Sequence, residues 1–149
     1  MLSVTSALAV AVTLMQTPPP ANQACSALTA AQVSSLIGAP AHTLPVSAAP
    51  NGASCMFQNN DKMITVLMAT NATADGAQGL FDAKKRIAAG ADVPGWGVPA
   101  YASAMKDVAI VGVLMKQTLT EVKVIDKTQN LEAMTAKLKA VMKEVAAKK

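Results

Sequence analysis

The most restrictive pattern in the chain lies between Val108 and Ile125. Val108–Met115 (VAIVGVLM) is almost continuously apolar, and beyond Lys116 and Gln117 the run Leu119–Ile125 alternates Thr120, Val122 and Val124 with Glu121 and Lys123. Period-two alternation is the mark of a strand with one buried face, and an unbroken apolar run belongs inside a sheet. The two runs therefore read as an antiparallel hairpin turning near Lys116 and Gln117, its second strand half exposed. Lys62–Thr70 (KMITVLMAT) is apolar on both faces, as a central strand is, and Ser54–Gln58 precedes it across Asn59, Asn60 and Asp61 as a second hairpin. A further short strand fits Thr43–Ser47, ahead of the Pro50-Asn51-Gly52 turn signal.

Helical signals flank these strands. In Leu28–Gly38, Thr29 and Gln32 form a capping-box pair, Val33, Leu36 and Ile37 share one face, and Gly38 with Pro40 ends the helix. Asp75 and Gln78 repeat the capping pattern before an amphipathic stretch running to Gly90. It has Leu80, Phe81, Ile87 and Ala88 on its apolar side, and Asp82, Lys84, Lys85 and Arg86 on a solvated side. Asn130 caps the last helix, where Leu131, Met134, Leu138, Val141, Met142 and Val145 follow i, i+3, i+7, i+10, i+11 and i+14. The order, roughly α-β-β-α-β-β-β-α, predicts an α+β fold: an antiparallel β-sheet with helices packed on one face.

Charge is distributed unevenly. No formally charged side chain precedes Asp61, and charged residues make up 15% of the chain, against about 25% in an average soluble domain. Up to Met115 five basic and five acidic residues cancel. The net +4 therefore comes from the eight lysines beginning at Lys116, set against Glu121, Asp126, Glu132 and Glu144. With a single arginine and four aromatic side chains, the chain lacks the interleaved surface that binds nucleic acid, and that function class is excluded. The lysine excess is read as the wet face of a docking helix. The alternative is a peripheral membrane protein, the basic C-terminal helix lying on an acidic membrane.

Met1–Met15 (MLSVTSALAVAVTLM) has the length of the apolar part of an export signal and is too short to span a bilayer, although no Lys or Arg precedes it. Pro18–Pro20 separate it from the rest of the chain, and Ala21 and Ala24 are small enough for a cleavage site. Residues 1–24 are thus expected to be an export signal-like segment and linker, and 25–149 a single α+β domain; the alternative is a buried first strand or helix. Cys25 and Cys55 are the only cysteines. In an oxidising compartment they read as one disulfide, worth about 3–4 kcal/mol for a loop of this length. The competing arrangement is a Cys25 nucleophile with His42, the only histidine, as its base.

Several short motifs occur together. Ala24-Cys25-Ser26-Ala27-Leu28-Thr29 leads to Gln32-Val33 and Leu36-Ile37-Gly38; Cys55 sits in Gly52-Ala53-Ser54-Cys55-Met56-Phe57; Val93-Pro94-Gly95-Trp96-Gly97 leads to Ala100-Tyr101. The layout resembles a group of small exported bacterial domains of unknown function, often lipoproteins, with a C…LT…V…LLG start, a C.Y strand and a VPGLGD.AY loop. Trp96 and Val98 stand where that pattern has Leu and Asp, and Asn22 where a lipoprotein motif has Leu. The resemblance implies an extracytoplasmic α+β domain, periplasmic or secreted, with its cysteines bridged and no established catalysis.

Groups for catalysis are few. The chain has no GxSxG, no HExxH and no phosphate-binding glycine loop. Asp92 and Asp107 flank the Val93–Tyr101 region and are the candidates for a small hydrolase-like enzyme. The expected function is instead non-catalytic: binding of a small apolar ligand or a protein partner through the sheet or the Trp96 loop. Trp96 between two glycines, with Tyr101 behind it, forms the candidate ligand-binding pair, an aromatic lid over an apolar pocket; the alternative is Trp96 as part of the fold. The nine methionines follow core stripes rather than the MxM or MxxM spacing that gathers thioethers around Cu(I). No metal or other cofactor is expected.

Overall fold

The two hairpins form the middle of a seven-stranded antiparallel sheet in the computed structural model, which describes residues 22–49 and 51–148. The export-like segment up to residue 21 lies outside the described residues. The elements are α1 (Gln23–Ser26), α2 (Ala30–Ile37), β1 (His42–Ala49), β2 (Gly52–Asn59), β3 (Lys62–Thr70), α3 (Ala74–Ile87), β4 (Ala91–Asp92), β5 (Ala100–Met105), β6 (Val108–Met115), β7 (Thr118–Ile125) and α4 (Leu131–Ala147). The sheet order is β1-β2-β3-β7-β6-β5-β4. Two meanders, β1–β3 and β4–β7, are thus joined along a single seam, where β3 pairs with β7 from Met63↔Ile125 to Thr70↔Thr118.

Register places matching apolar rows on one face. Cys55, Val66, Val122, Val111 and Ala102 lie across one row, and Phe57, Ile64, Val124 and Ala109 across the next. Here α1, α2 and α4 pack, burying Ala24, Val33, Leu36, Ile37, Met134, Leu138 and Met142 against the strands. The cap signals of α2 and α4 are met as the sequence predicts. Thr29 and Gln32 close a full capping box, and the Asn130 carboxamide accepts from Glu132 and Ala133.

The α+β class and the strand order hold, but the sheet has a cover on both faces rather than one. α3 lies across β6 and β7 on the opposite face, over Tyr101, Ile110, Leu114 and Leu119. This explains the unbroken apolar character of β6, whose central six residues are buried on both sides. The cap of α3 is Thr73, in extended backbone and accepting from Gly76, not Asp75; Gln78 donates to Asp82 instead. Ala77, Phe81, Lys84 and Ala88 form the row facing the sheet. Ile87 falls roughly a quarter turn off that row and is 79% exposed.

The folded unit also begins earlier than Cys25. Asn22 caps α1 through its carbonyl oxygen, and its amide donates to the carbonyls of Ser47 on β1 (2.8 Å) and Ser54 on β2 (3.0 Å). One turn on, the Cys25–Cys55 disulfide fastens α1 to β2.

A second polar tie holds the turn into α4. Asp126 is fully buried and accepts from the Thr128 hydroxyl (2.7 Å), the Thr128 N–H (2.8 Å) and the Gln129 amide (2.6 Å), with the Lys62 ammonium at 3.4 Å. Burial alone would raise its pKa; the Thr128, Gln129 and Lys62 contacts outweigh it and hold the carboxyl at about 2. A folded-state pKa below the unfolded one, near 4, contributes stability above that pH, lost as pH falls towards 2; the amount is about 2 kcal/mol. Urea unfolding at pH 6 and pH 2.5 checks this. Asp126→Asn is expected to be destabilised at pH 6 and to lose about 2 kcal/mol less than the parent on acidification; parallel losses would contradict it.

Candidate functional site

The end of the β3–β7 seam is drawn together by several polar contacts. The Thr70 and Thr118 hydroxyls meet at 2.8 Å, Asn71 N–H donates to the Gln117 carbonyl (3.0 Å), and Leu114 N–H donates to the Pro99 carbonyl (2.9 Å). The last tie brings the Val93–Pro99 loop over the strand ends. Gly95 (φ 82°) and Gly97 (φ 70°) take the left-handed backbone on either side of Trp96, a conformation available to glycine at no steric cost. On the face covered by α4, this closure leaves a mainly apolar hollow of about 440 Å³, open on one side and lined by Met68, Val98, Met115, Lys116, Thr118 and Lys148. Five parts of the chain contribute: β3, the Trp96 loop, β6 with its turn, β7, and the residue after α4. The Thr120 hydroxyl, beside Met68 in the register and fully buried, has no hydrogen-bond partner among the described residues.

The candidate pair Trp96 and Tyr101 is separated by the sheet. Trp96 is half-buried against the core on the α4 side, two residues from Val98 in the hollow wall. Tyr101 is fully buried on the α3 side, packed edge-on to Phe81 at 5.2 Å and donating to Glu121, which pairs with Lys84 at 3.7 Å. Burial, with the Glu121 hydrogen bond and charge, pushes the phenol well above its ordinary range, so it stays protonated. Tyr101 is therefore a packing residue and lines no site with Trp96.

The other candidates also separate. The Cys25 sulfur is in the disulfide and has no thiol for His42, which sits exposed on the edge strand β1. Asp92 lies opposite Tyr101 at the start of β5 and binds Lys85 at 2.6 Å, whereas Asp107 is in the turn beyond its end. Four strand steps alone separate them by about 13 Å, beyond the spacing at which two carboxylates share a glycosidic bond. Among the described residues no three His, Cys, Asp or Glu side chains gather as a metal site, and no helix is long and apolar enough to cross a membrane. The apolar row of α4 is buried against the sheet and is not presented as a membrane-facing surface.

Two other surfaces stand out. A hollow of about 350 Å³ lies between α2 and the β1–β2 hairpin, against Cys25, Leu28, Val33, Pro40 and Phe57, with no charged side chain in its lining. On the α3 side, β1–β3 carry Met56, Met63 and Leu67 half-buried, with Leu44 47% and Val46 60% exposed nearby. Comparison of the chain with protein families, with curated proteins and with solved structures finds no match to any of them.

The assignment of Tyr101 predicts opposite effects at two glycines. A Cβ at Gly112, its cross-strand partner, would lie 2.4 Å from ring carbons of Tyr101, whereas a Cβ at Gly79 on α3 meets nothing within 4 Å. Gly112→Ala is expected to cost about 2 kcal/mol through overpacking. Gly79→Ala should gain about 0.5–1 kcal/mol of helix stability. Thermal and urea unfolding read both signs; a neutral Gly112→Ala would contradict the packing described.

Proposed function

We propose that this chain is an exported, non-catalytic binding domain that takes a small apolar ligand into the hollow at the end of the β3–β7 seam. The observation that carries the reading is the hollow itself: a concave, mostly apolar space built from five parts of the chain and held open by hydrogen bonds at its rim. Its volume of about 440 Å³ falls within the range of about 300–1,000 Å³ common for ligand pockets. Met68 and Met115 give it walls of unbranched, polarizable thioethers that adapt to different apolar shapes. Export is supported by the Cys25–Cys55 bond, of a kind that persists in oxidising compartments, and by the uncharged apolar run Met1–Met15. The separation of Asp92 from Asp107 and the bonding of Cys25 to Cys55 argue against the enzymatic alternative. A protein partner on the open side of β1–β3 is a second reading, favoured by the exposure of Leu44 and Val46.

The two readings separate with a neutral, environment-sensitive dye such as Nile red. Saturable one-to-one binding with a blue-shifted emission is expected for the parent. Val98→Glu, which puts a charge into the wall from a half-buried loop position packed against the core, should weaken it by at least about tenfold, with a lowered thermal midpoint but a cooperative unfolding transition that shows the domain still folded. Binding that is insensitive to Val98→Glu but lost in Leu44→Glu would move the site to the open sheet face and overturn this reading.

A further inference from the structure

Resting on that reading, we infer that the ligand is an amphiphile with one anionic head, a long-chain carboxylate: its tail lies against Met68, Val98 and Met115, and its head is held by Lys116 and Lys148. The charge pattern of the hollow points there. Both charged residues in its lining are lysines, no carboxylate lines it, and neither lysine has an ion-pair partner among the described residues. Two lysines from distant parts of the chain, a hairpin turn and the residue after the last helix, thus line one apolar space with no acidic partner among the described residues. A neutral ligand would leave that convergence unused, and a cationic one would be repelled. A single carboxylate at the opening with a hydrocarbon tail inside satisfies both halves of the surface at once.

Lys116 is the first residue of the two-residue β6–β7 turn and holds φ at 55°, in the left-handed region. Glycine and asparagine occupy such positions at lower cost, and the β2–β3 turn does have an asparagine, Asn60, at φ 55°. Lys106 in the β5–β6 turn takes the same conformation, but among the hollow-lining residues the strained lysine is Lys116. The left-handed residue is therefore a property of these two-residue hairpin turns, and the case for the anionic head rests on the charge pattern of the lining. The Thr118 and Thr70 hydroxyls bond to each other, and the charged donors in the lining are the two lysines.

Trp96, the only tryptophan and two residues from Val98, serves as the reporter. Its emission is followed while the full chain is titrated at pH 7 with dodecanoate, dodecanol or dodecyltrimethylammonium, each below its micellar concentration. Dodecanoate is expected to bind one-to-one, at least about tenfold more tightly than dodecanol, with an affinity that falls as salt is raised; the cationic amphiphile should bind least. Lys116→Gln with Lys148→Gln should remove most of the dodecanoate preference and leave dodecanol binding within about twofold. Lys116→Gly separates a binding role from a structural one: relief of the left-handed strain should leave the thermal midpoint equal or higher while dodecanoate affinity drops. Equal affinity for dodecanoate and dodecanol, or a preference unchanged in the double variant, overturns the anionic head and leaves the apolar-ligand reading standing. If neither compound binds, both readings fall.

Discussion

The structure depends on the pairing of β3 with β7. Every other strand contact is a hairpin between neighbours in sequence, formed locally and cheaply; this one joins the β1–β3 meander to the β4–β7 meander across α3 and three strands. Closing so long a loop costs entropy before any contact offsets it. The offset is the alignment of Ile64 with Val124 and Val66 with Val122, which completes apolar rows running from β2 to β5. Each fully buried Val or Ile in those rows contributes about 1.5–3 kcal/mol, and α4 docks on the surface they create. A one-residue slip of the seam would put Glu121 and Lys123 under α4, so the alternation in β7 sets the register as well as the fold class.

The hollow is a consequence of how that seam ends. Thr118 is in its last pair, Thr70↔Thr118, with Met68 two residues before Thr70, and among the described residues no helix covers the rows beyond α4. The Trp96 loop crosses the end of β6 and supplies Val98, while Lys148 enters as α4 runs out. A gap in the cover of a sheet is ordinarily apolar throughout. Here its edge carries two lysines and, among the described residues, no acid, the charge pattern on which the proposed anionic head rests.

Much of the frame is legible in the sequence. β6 spans Val108–Met115 as its apolar run indicates, and Thr29 and Asn130 cap their helices, because these signals are local. The departures involve side chains whose partners are distant. In β5, AYASAM alternates alanine with Tyr101, Ser103 and Met105 and has little polarity contrast, so the period that sends Tyr101 to one face and Ala100 and Ala102 to the other is faint. The proximity of Trp96 and Tyr101 in sequence therefore suggests a shared site that the sheet divides. Ile87 reads as part of the buried row of α3 because Lys84, which occupies that row, spends its charge on Glu121 of the facing strand β7. The tie of Asn22 to the sheet rests on carbonyls 25 and 32 residues away, invisible to any local rule. The hollow has no signature in the sequence, since its walls come from five parts of the chain.

The methionines make the central claim directly measurable, because their methyl groups sample both faces of the sheet and the core. With ε-methyl labelling, addition of dodecanoate should shift the signals of Met68 and Met115 in the hollow. It should leave Met56 and Met63 on the opposite face, and Met134 and Met142 under α4, where they are. Shifts confined to Met56 and Met63, or no shift at saturating dodecanoate, would contradict a ligand site at the end of the seam.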